Sequence, residues 1–289
     1  KLNSTLADTA VFRIAKEIDL TIQKTAEGIL RISVARMVSA IKQISVSRGY
    51  DPRDFVLVAF GGAGPLHAAL VAEELDIKHV LIPLSPGNFS AYGALISDVR
   101  HDYVQTFLAK AENSSLSSLH AIFNKMEKVA YEVMLEENIQ KKQISMNRVC
   151  GMRYVGQAWQ LNVPIPKEVE RIEELIDLFH EAHDQRYGYR STDSVEFVAC
   201  SLSVIGIVLK PRLPECKMDS SLKKALVARR AVFFSGEEHS TPVYNRDLLP
   251  RSDKINGPAI IEEMGAVTVV PIGWTSEVGK FGEMHLRRI

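Results

Sequence analysis

The 289-residue sequence predicts an α/β fold in its first part, followed by an α+β part with a β-rich end. Short, continuously apolar segments alternate with helical patterns in the first part, and a run of glycines joins one such segment to the next helix. From Lys223 onward, short strand-like segments are instead separated by Pro and Gly. These observations favour two domains of ordinary size.

The N-terminal region has the pattern of two helices. Asp8–Glu17 predicts a short helix, and a break is expected directly after it. Thr21–Ser47 predicts a long helix, because its apolar side chains recur at helical spacing. Gly49 and Pro52 then mark the end of the helical pattern.

The next part of the chain alternates between strand and helix patterns. Phe55–Phe60 is continuously apolar, which is typical of a buried parallel strand. A helix is predicted at Pro65–Leu75, with proline suited to its first turn, and a second strand at His79–Pro83. A strand, a helix and a strand at this spacing predict a parallel sheet. A further helix is predicted at Ser90–Ile96 and a strand at Tyr103–Leu108.

A domain boundary is predicted in the small, polar stretch Ala109–Ser118, which divides the chain into residues 1–110 and 111–289. Beyond it the sequence predicts two helices, two long β-like segments and a series of short strands. The helices are Leu119–Glu137 and Lys167–His183, the long segments are Met152–Val163 and Val195–Lys210, and the short strands are Ala225–Phe234, Thr241–Tyr244, Pro258–Glu262, Val267–Val270 and Met284–Leu286.

The composition is that of an ordinary globular protein, with 46% hydrophobic and 24% charged residues. Lys+Arg and Asp+Glu both number 35, so nothing indicates nucleic-acid binding or attachment to a membrane surface. No apolar run has the length of a membrane span. The three cysteines (Cys150, Cys200, Cys216) are widely spaced, which favours reduced thiols in a cytoplasmic protein.

The sharpest local feature is the glycine loop Gly61–Gly64, which joins a predicted strand to a predicted helix. Glycine allows positive φ and close approach of a ligand, and the free amides at a helix start favour an anion. We therefore predict nucleotide binding at Gly61, Gly62, Ala63 and Gly64, with His67 as a further ligand contact. The alternatives are a tight turn without a ligand and a histidine that packs or caps the helix. Neither a P-loop nor a dinucleotide fingerprint is present.

Other candidate residues have weaker patterns. His101 and Asp102 are adjacent on a predicted strand and would point to opposite faces, which disfavours a shared metal site. His180 and His183 are spaced for joint metal ligation on a helix, but no third ligand accompanies them. The Glu262–Glu263 pair has the chemistry for acid–base catalysis, but paired carboxylates in a turn are usually solvated. Neither a catalytic residue nor a complete metal site is readable.

Several motifs in order resemble the hydantoinase A/oxoprolinase family, and together they cover nearly the whole chain. The motifs are Arg48–Phe55 running into Phe60–Ala68, Ser90–Gly93, Ser97–Tyr103, Gly151–Gln157, His183 through Tyr187-Gly188, and Gly257–Glu263. One departure follows the last motif: the family usually has a Ser/Thr-rich turn there, whereas this chain has Met264–Thr268.

The resemblance implies the second lobe of an actin-like, ribonuclease-H-like ATPase domain followed by the family's C-terminal domain. It also implies ATP and Mg²⁺ as cofactors and hydrolysis of a cyclic amide of the hydantoin or 5-oxoproline type. Amide resonance is hard to break, and phosphorylation of the amide oxygen makes it a far better leaving group. An alternative within the resemblance is a ketone carboxylase subunit.

The family's first phosphate-binding element, an Asp-x-Gly-Gly-Thr hairpin, does not occur in this sequence. The resemblance therefore implies a C-terminal portion that is inactive by itself, with a hydantoinase B-type subunit or domain as partner, and it leaves a homo-oligomer open. A different class of function is a non-catalytic ATPase-fold module that binds a nucleotide or a partner.

Overall fold

A computed structural model describes residues 3–166, 169–216, 220–251 and 253–289, in which helices and strands are mixed along the chain. The helices are α1 (Ser4–Glu17), α2 (Ile22–Ile44), α3 (Gly64–Glu74), α4 (Phe89–Ile96), α5 (Leu116–Glu136), α6 (Ile172–Tyr187) and α7 (Leu222–Ala225). The strands are β1 (Leu57–Val58), β2 (His79–Ile82), β3 (Val99–Lys110), β4 (Ile144–Tyr154), β5 (Leu161–Pro164), β6 (Val195–Gly206), β7 (Leu226–Phe234), β8 (Glu237–Asn245), β9 (Ile255–Asn256), β10 (Ala259–Glu263), β11 (Ala266–Val270), β12 (Trp274–Val278) and β13 (Met284–Arg288).

The chain forms two compact units, and the two ends of the sequence share one of them. The first unit contains Lys1–Leu95 and Arg212–Ile289, and the second contains Ile96–Pro211. The expected boundary after residue 110 lies within the second unit, where β3 ends. A family domain boundary at that point stays a prediction.

The two predicted N-terminal helices are present, with the break between them. The Thr21 hydroxyl accepts a hydrogen bond from the Lys24 amide at 3.2 Å and so caps the start of α2. Asp19 has a φ of 52°, which a continuous helix does not allow. The long helix ends at Ile44, a little before the predicted end.

The first unit holds two sheets. Strands β1, β2, β13, β12 and β9 form one sheet in that order, and only the β1–β2 pair is parallel. The strand–helix–strand prediction is confirmed for β1, α3 and β2. Strands β11, β10, β8 and β7 form the other sheet, whose β8–β10 pair is parallel. The core of the unit includes Val80, Ile82, Ile261 and the fully buried Trp274.

The prediction of a fully buried strand at Phe55–Phe60 is wrong in extent and in burial. Only Leu57–Val58 is a strand, and it is an edge strand whose single neighbour in the sheet is β2. Phe55, Val56, Val58 and Phe60 are all exposed. A continuous apolar run predicts burial only when both faces are covered, and the described residues do not cover both faces here.

The second unit is a four-stranded antiparallel sheet in the order β3-β6-β4-β5, with α5 and α6 contributing to its core. The strand predicted at Tyr103–Leu108 is confirmed as part of β3. The single β segment predicted at Met152–Val163 is instead split between β4 and β5. Gly156, with a φ of 91°, lies in the turn that separates them.

Two other features of the second unit bear on the sequence analysis. The predicted start of a helix at Lys167 lies outside the described residues, and α6 begins at Ile172.

Cys150 and Cys200 face each other on β4 and β6 with their sulfurs 3.9 Å apart, and both are unoxidised. The hydrogen-bonding contact with Cys200, followed by burial, raises the pKa of the Cys150 thiol.

A hydrogen-bonded chain of titratable side chains lies on the first unit's β2 and β13 side. His79 Nε2 is 3.0 Å from His285 Nδ1, and His285 Nε2 is 3.3 Å from a carboxylate oxygen of Glu283. Burial lowers the pKa of His79, and the positive charges of Arg287 and His285 lower it further.

We predict that the chain loses stability as the pH falls below about 6.5, the usual pKa of histidine. Because the pKa of His79 is lower in the folded state, the unfolded state binds more protons in this range. His79→Gln cannot become charged and should flatten the dependence of the unfolding midpoint on pH. His120→Gln on α5 is the control, and an equal pH dependence in wild type and His79→Gln would contradict the prediction.

Candidate functional site

The glycine loop predicted from the sequence lies between β1 and α3. Gly61 has a φ of 83°, a left-handed conformation that favours glycine, and its amide donates to the Pro86 carbonyl at 2.7 Å. Gly62 and Ala63 are exposed. The loop is therefore fixed at one end by a short hydrogen bond and open to solvent in the middle.

Helix α3 begins at Gly64 without a side-chain cap. Ala63 occupies the N-cap position and has no side chain that could accept from the helix amides. The first amides of a helix have no partner within the helix, and the helix dipole makes this end electropositive. An anionic group placed beside Gly62 and Ala63 would meet unpaired amides instead of side chains.

Three segments that are distant in sequence meet at this loop. An added Cβ on Gly62 would lie 3.2 Å from the Gly265 carbonyl oxygen, and one on Gly87 would also lie 3.2 Å from the same oxygen. Gly265 is in the tight turn between β10 and β11 and has a φ of 86°. The glycine loop, the segment after β2 and the β10–β11 turn therefore approach one another with no room for larger side chains.

A buried arginine holds two of these segments together. Arg246 is 1% exposed and pairs with Glu263, whose side chain is 7% exposed, at the end of β10. The same guanidinium donates to the carbonyl oxygens of Pro83 and Gly282, each at 2.9 Å. Burial raises the pKa of the Glu263 carboxyl, and the Arg246 charge opposes that rise.

The sequence predicted that Glu262 and Glu263 are both solvated carboxylates, and this is wrong for Glu263. Successive strand residues point to opposite faces, so the two side chains enter different environments. Glu263 is buried against Arg246, whereas Glu262 pairs at 2.9 Å with the half-exposed Arg230. Only Glu262 behaves as predicted.

His67 lies in the first turns of α3, where its Nδ1 donates to the Ala63 carbonyl at 3.0 Å. A carbonyl oxygen only accepts, so Nδ1 carries the proton and Nε2 of the neutral ring is an acceptor. This bond fixes the ring against the backbone but leaves the first amides of α3 without a side-chain cap, so it is a packing role and not a capping role. A direct contact between His67 and a ligand stays a prediction.

Aromatic side chains border the glycine loop. Phe60 precedes the loop, is exposed, and lies 5.4 Å from the Phe89 ring centre. Phe89 in turn stacks on Tyr92 at 6.0 Å. These three rings give the loop an apolar flank, which the sequence analysis did not identify as part of the site.

The other candidate residues lie in the second unit and have structural partners. His183 is fully buried, where its Nδ1 donates to the Tyr189 carbonyl at 2.9 Å and Gln157 contacts its Nε2 at 3.1 Å. His180 Nδ1 forms a hydrogen bond with the Tyr154 hydroxyl at 2.7 Å. Both histidines therefore serve packing in the second unit.

His101 and Asp102 also have separate partners. His101 contacts Glu137 at 3.0 Å, and Asp102 pairs with Arg100. Across the described parts of the chain, no group of three or more His, Cys, Asp or Glu side chains is arranged to hold a metal ion. The same residues contain no helix with both the length and the hydropathy needed to cross a bilayer.

Besides the three rings, Arg246, Gly87 and Gly265 are site residues that were not predicted from the sequence. Gly87 lies between the strand predicted at His79–Pro83 and the helix predicted at Ser90–Ile96, and Gly265 was noted only within the departure from a Ser/Thr-rich turn. Nothing local marks Arg246, because its partners are 17 to 164 residues away in sequence. The sequence contains one signal for Arg246: Glu263 ends a strongly apolar strand, and a buried carboxylate needs a cationic partner.

Comparisons with known proteins cover the whole length of the chain. The family model described as hydantoinase/oxoprolinase matches residues 1–103, and that of the hydantoinase/oxoprolinase C-terminal domain matches residues 107–289. An uncharacterized protein of Methanocaldococcus jannaschii is 34% identical over 100% of this chain, and the caprolactamase subunit alpha of Pseudomonas jessenii is 30% identical over 95%. The chain spans 41% of the length of each.

A solved structure of nucleotide-free acetone carboxylase, from work on ATP-dependent acetone carboxylation, has a similar fold. The TM-score is 0.82 at 21% identity, and the match covers 100% of this chain and 43% of that chain. The fold class expected from the sequence, an ATPase-type mixture of helices and sheets, is therefore confirmed.

We predict that Gly62→Val displaces the β10–β11 turn, because even a single Cβ at this position meets the Gly265 carbonyl at 3.2 Å. Overpacking of this kind costs about 1–3 kcal/mol. Denaturant unfolding gives the loss of stability, and faster amide hydrogen exchange in residues 259–270 shows where it acts.

Gly61→Ala is the matched control, because a Cβ there meets no atom within 4 Å and the cost comes from the positive φ alone. That strain costs about 1 kcal/mol and should leave exchange in residues 259–270 unchanged. The same exchange pattern in both variants would contradict the contact between Gly62 and Gly265.

Proposed function

Because this chain belongs to the hydantoinase/oxoprolinase family, we propose that it forms one side of the nucleotide site in an ATP-dependent enzyme that hydrolyses a cyclic amide. The glycine loop Gly61–Gly64 is the part that contacts the nucleotide. The observation that carries this proposal is an exposed, uncapped helix start reached through glycines that are packed against two further turns.

The loop suits a phosphate-bearing ligand for electrostatic and steric reasons. The unpaired amides at the start of α3 and its dipole favour negative charge near Gly62 and Ala63. No side chain projects from Gly61, Gly62 or Gly64, so the backbone can approach the ligand closely. The flank formed by Phe60 and Phe89 offers an apolar surface for the base.

When bound, ATP supplies a phosphoryl group for the oxygen of an amide or a carbonyl. In that arrangement the amides of this chain hold and orient the nucleotide, and the hydrogen bond from Gly61 to Pro86 keeps the loop rigid while they do so. Positioning of this kind is the main contribution a protein makes to phosphoryl transfer.

The described residues do not by themselves fit a magnesium site. They contain no acidic cluster able to hold a metal ion, and the printed sequence contains no Asp-x-Gly-Gly-Thr hairpin. The chain spans 41% of the length of its relatives, one of which is named as a subunit. We therefore propose that the rest of the whole protein supplies the Asp-x-Gly-Gly-Thr phosphate-binding hairpin and the metal ligands, and that a hydantoinase B-type subunit completes the reaction.

We favour a cyclic amide over a ketone as substrate because of the similarity to the caprolactamase subunit. The caprolactamase subunit is 30% identical, whereas the acetone carboxylase structure, at 21%, supports the fold alone. Both reactions would use the same edge of the nucleotide site, so the choice between them rests on residues that contact the substrate.

We predict that the purified 289-residue chain shows no appreciable ATP turnover, because phosphoryl transfer requires groups on both sides of the phosphates. The whole protein with its partner subunit should hydrolyse ATP when a lactam, a hydantoin or 5-oxoproline is added. A coupled assay of ADP release with a panel of lactams and ketones measures this.

Two outcomes would contradict the proposal in different ways. Substrate-dependent ATP turnover by the 289-residue chain alone would show that the site is not divided. If a ketone with bicarbonate stimulates ATP hydrolysis by the whole protein and no cyclic amide does, the enzyme is a carboxylase and not a hydrolase.

A further inference from the structure

Arg246 is buried in a way that stability alone does not explain. It is 1% exposed and lies in a short helical turn, Arg246–Leu248, directly after β8. Taking two charges out of water costs several kilocalories per mole, and apolar residues of similar size often serve stability as well. In some proteins such a buried charge pair specifies one arrangement of the segments that it joins.

The bonds of Arg246 hold particular points of the backbone. One nitrogen pairs with the Glu263 carboxylate, and the other donates to the carbonyls of Pro83 and Gly282 at 2.9 Å. The planar guanidinium has fixed donor directions, so these partners can occupy only one arrangement around it. A lysine ammonium would not impose the same directions.

Two of the partners lead within a few residues to the glycine loop. Glu263 is followed by the turn in which Gly265 meets Gly62 and Gly87. Pro83 is followed by the segment in which Pro86 accepts from the Gly61 amide at 2.7 Å. Arg246, the two segments and the glycine loop therefore form a closed ring of contacts.

We infer that Arg246 is a positioning residue for the nucleotide-binding loop, acting through Glu263 and Pro83 on the two segments that hold Gly61 and Gly62 in place. The inference rests on the proposed function for its effect on the nucleotide. Its effect on the loop itself is independent of any ligand.

A neighbouring ion pair provides a matched control. Arg230 on β7 pairs at 2.9 Å with Glu262, which precedes Glu263 on β10. The two side chains are 54% and 40% exposed. An exposed pair of this kind contributes little to stability. Arg230→Met therefore removes an arginine, as Arg246→Met does, but its carboxylate partner is Glu262, the residue before Glu263.

The experiment compares Arg246→Met, Arg246→Met with Glu263→Gln, Arg246→Lys and the control Arg230→Met in the whole protein. Three quantities are measured: the unfolding midpoint, amide hydrogen exchange in residues 60–67 and 83–89, and the affinity of the folded protein for a non-hydrolysable ATP analogue. Binding is measured well below the unfolding midpoint of the least stable variant.

We expect Arg246→Met to lower the unfolding midpoint and to speed amide exchange in both segments. The affinity for the analogue should fall by about tenfold to a hundredfold, because small misplacements of binding groups have effects of this size. Adding Glu263→Gln removes the carboxylate that Arg246→Met leaves unpaired, so most of the decrease in the unfolding midpoint should be recovered. Exchange and affinity should stay impaired, because nothing replaces the bond to Pro83. Arg246→Lys should recover them only in part, and Arg230→Met should match wild type.

Recovery of exchange and affinity together with the midpoint in the double variant would overturn the inference, since it would show a structural role only. Unchanged exchange at residues 60–67 in Arg246→Met would also overturn it. If the wild-type protein does not bind the analogue, the proposed function fails, and the exchange data still decide whether Arg246 positions the loop.

Discussion

The buried contact between Arg246 and Glu263 is the constraint on which the edge of the first unit depends. Glu263 ends a strand of one sheet, whereas Pro83 and Gly282 flank strands of the other, so a single guanidinium bonds to both sheets. Burying a charge is unfavourable unless every partner is in place. The two sheets therefore have a strong energetic reason to meet in one arrangement.

The glycines of the site follow from that arrangement. Once Arg246 fixes the ends of β2 and β10, the Gly265 carbonyl in the β10–β11 turn lies 3.2 Å from where a Cβ would be at Gly62 and at Gly87. Glycine is needed at these two positions for close packing and at Gly61 for its positive φ. The same absence of side chains leaves backbone amides open to a ligand, so packing and binding favour the same residue type.

Local patterns predicted the parts of the fold that local interactions determine. The capped start of α2, the β1–α3–β2 arrangement and the glycine loop are each encoded within a few residues. The antiparallel pairing of β13 with β2 joins residues about 200 apart in sequence, and β12 was not predicted although Gly273 and Gly279 flank it. Arg246 and Glu263 were missed for the same physical reason: their environment is created by packing between distant segments.

The function proposed for this chain has its support in the geometry of one loop and in family membership, and the direct test is to locate the nucleotide. A photoreactive azido analogue of ATP, bound to the whole protein and cross-linked by light, can be mapped by peptide mass spectrometry. We expect cross-links within residues 60–67, 83–89 or 263–266 that excess ATP prevents. ATP-protected cross-links confined to residues 96–211 of this chain would contradict it.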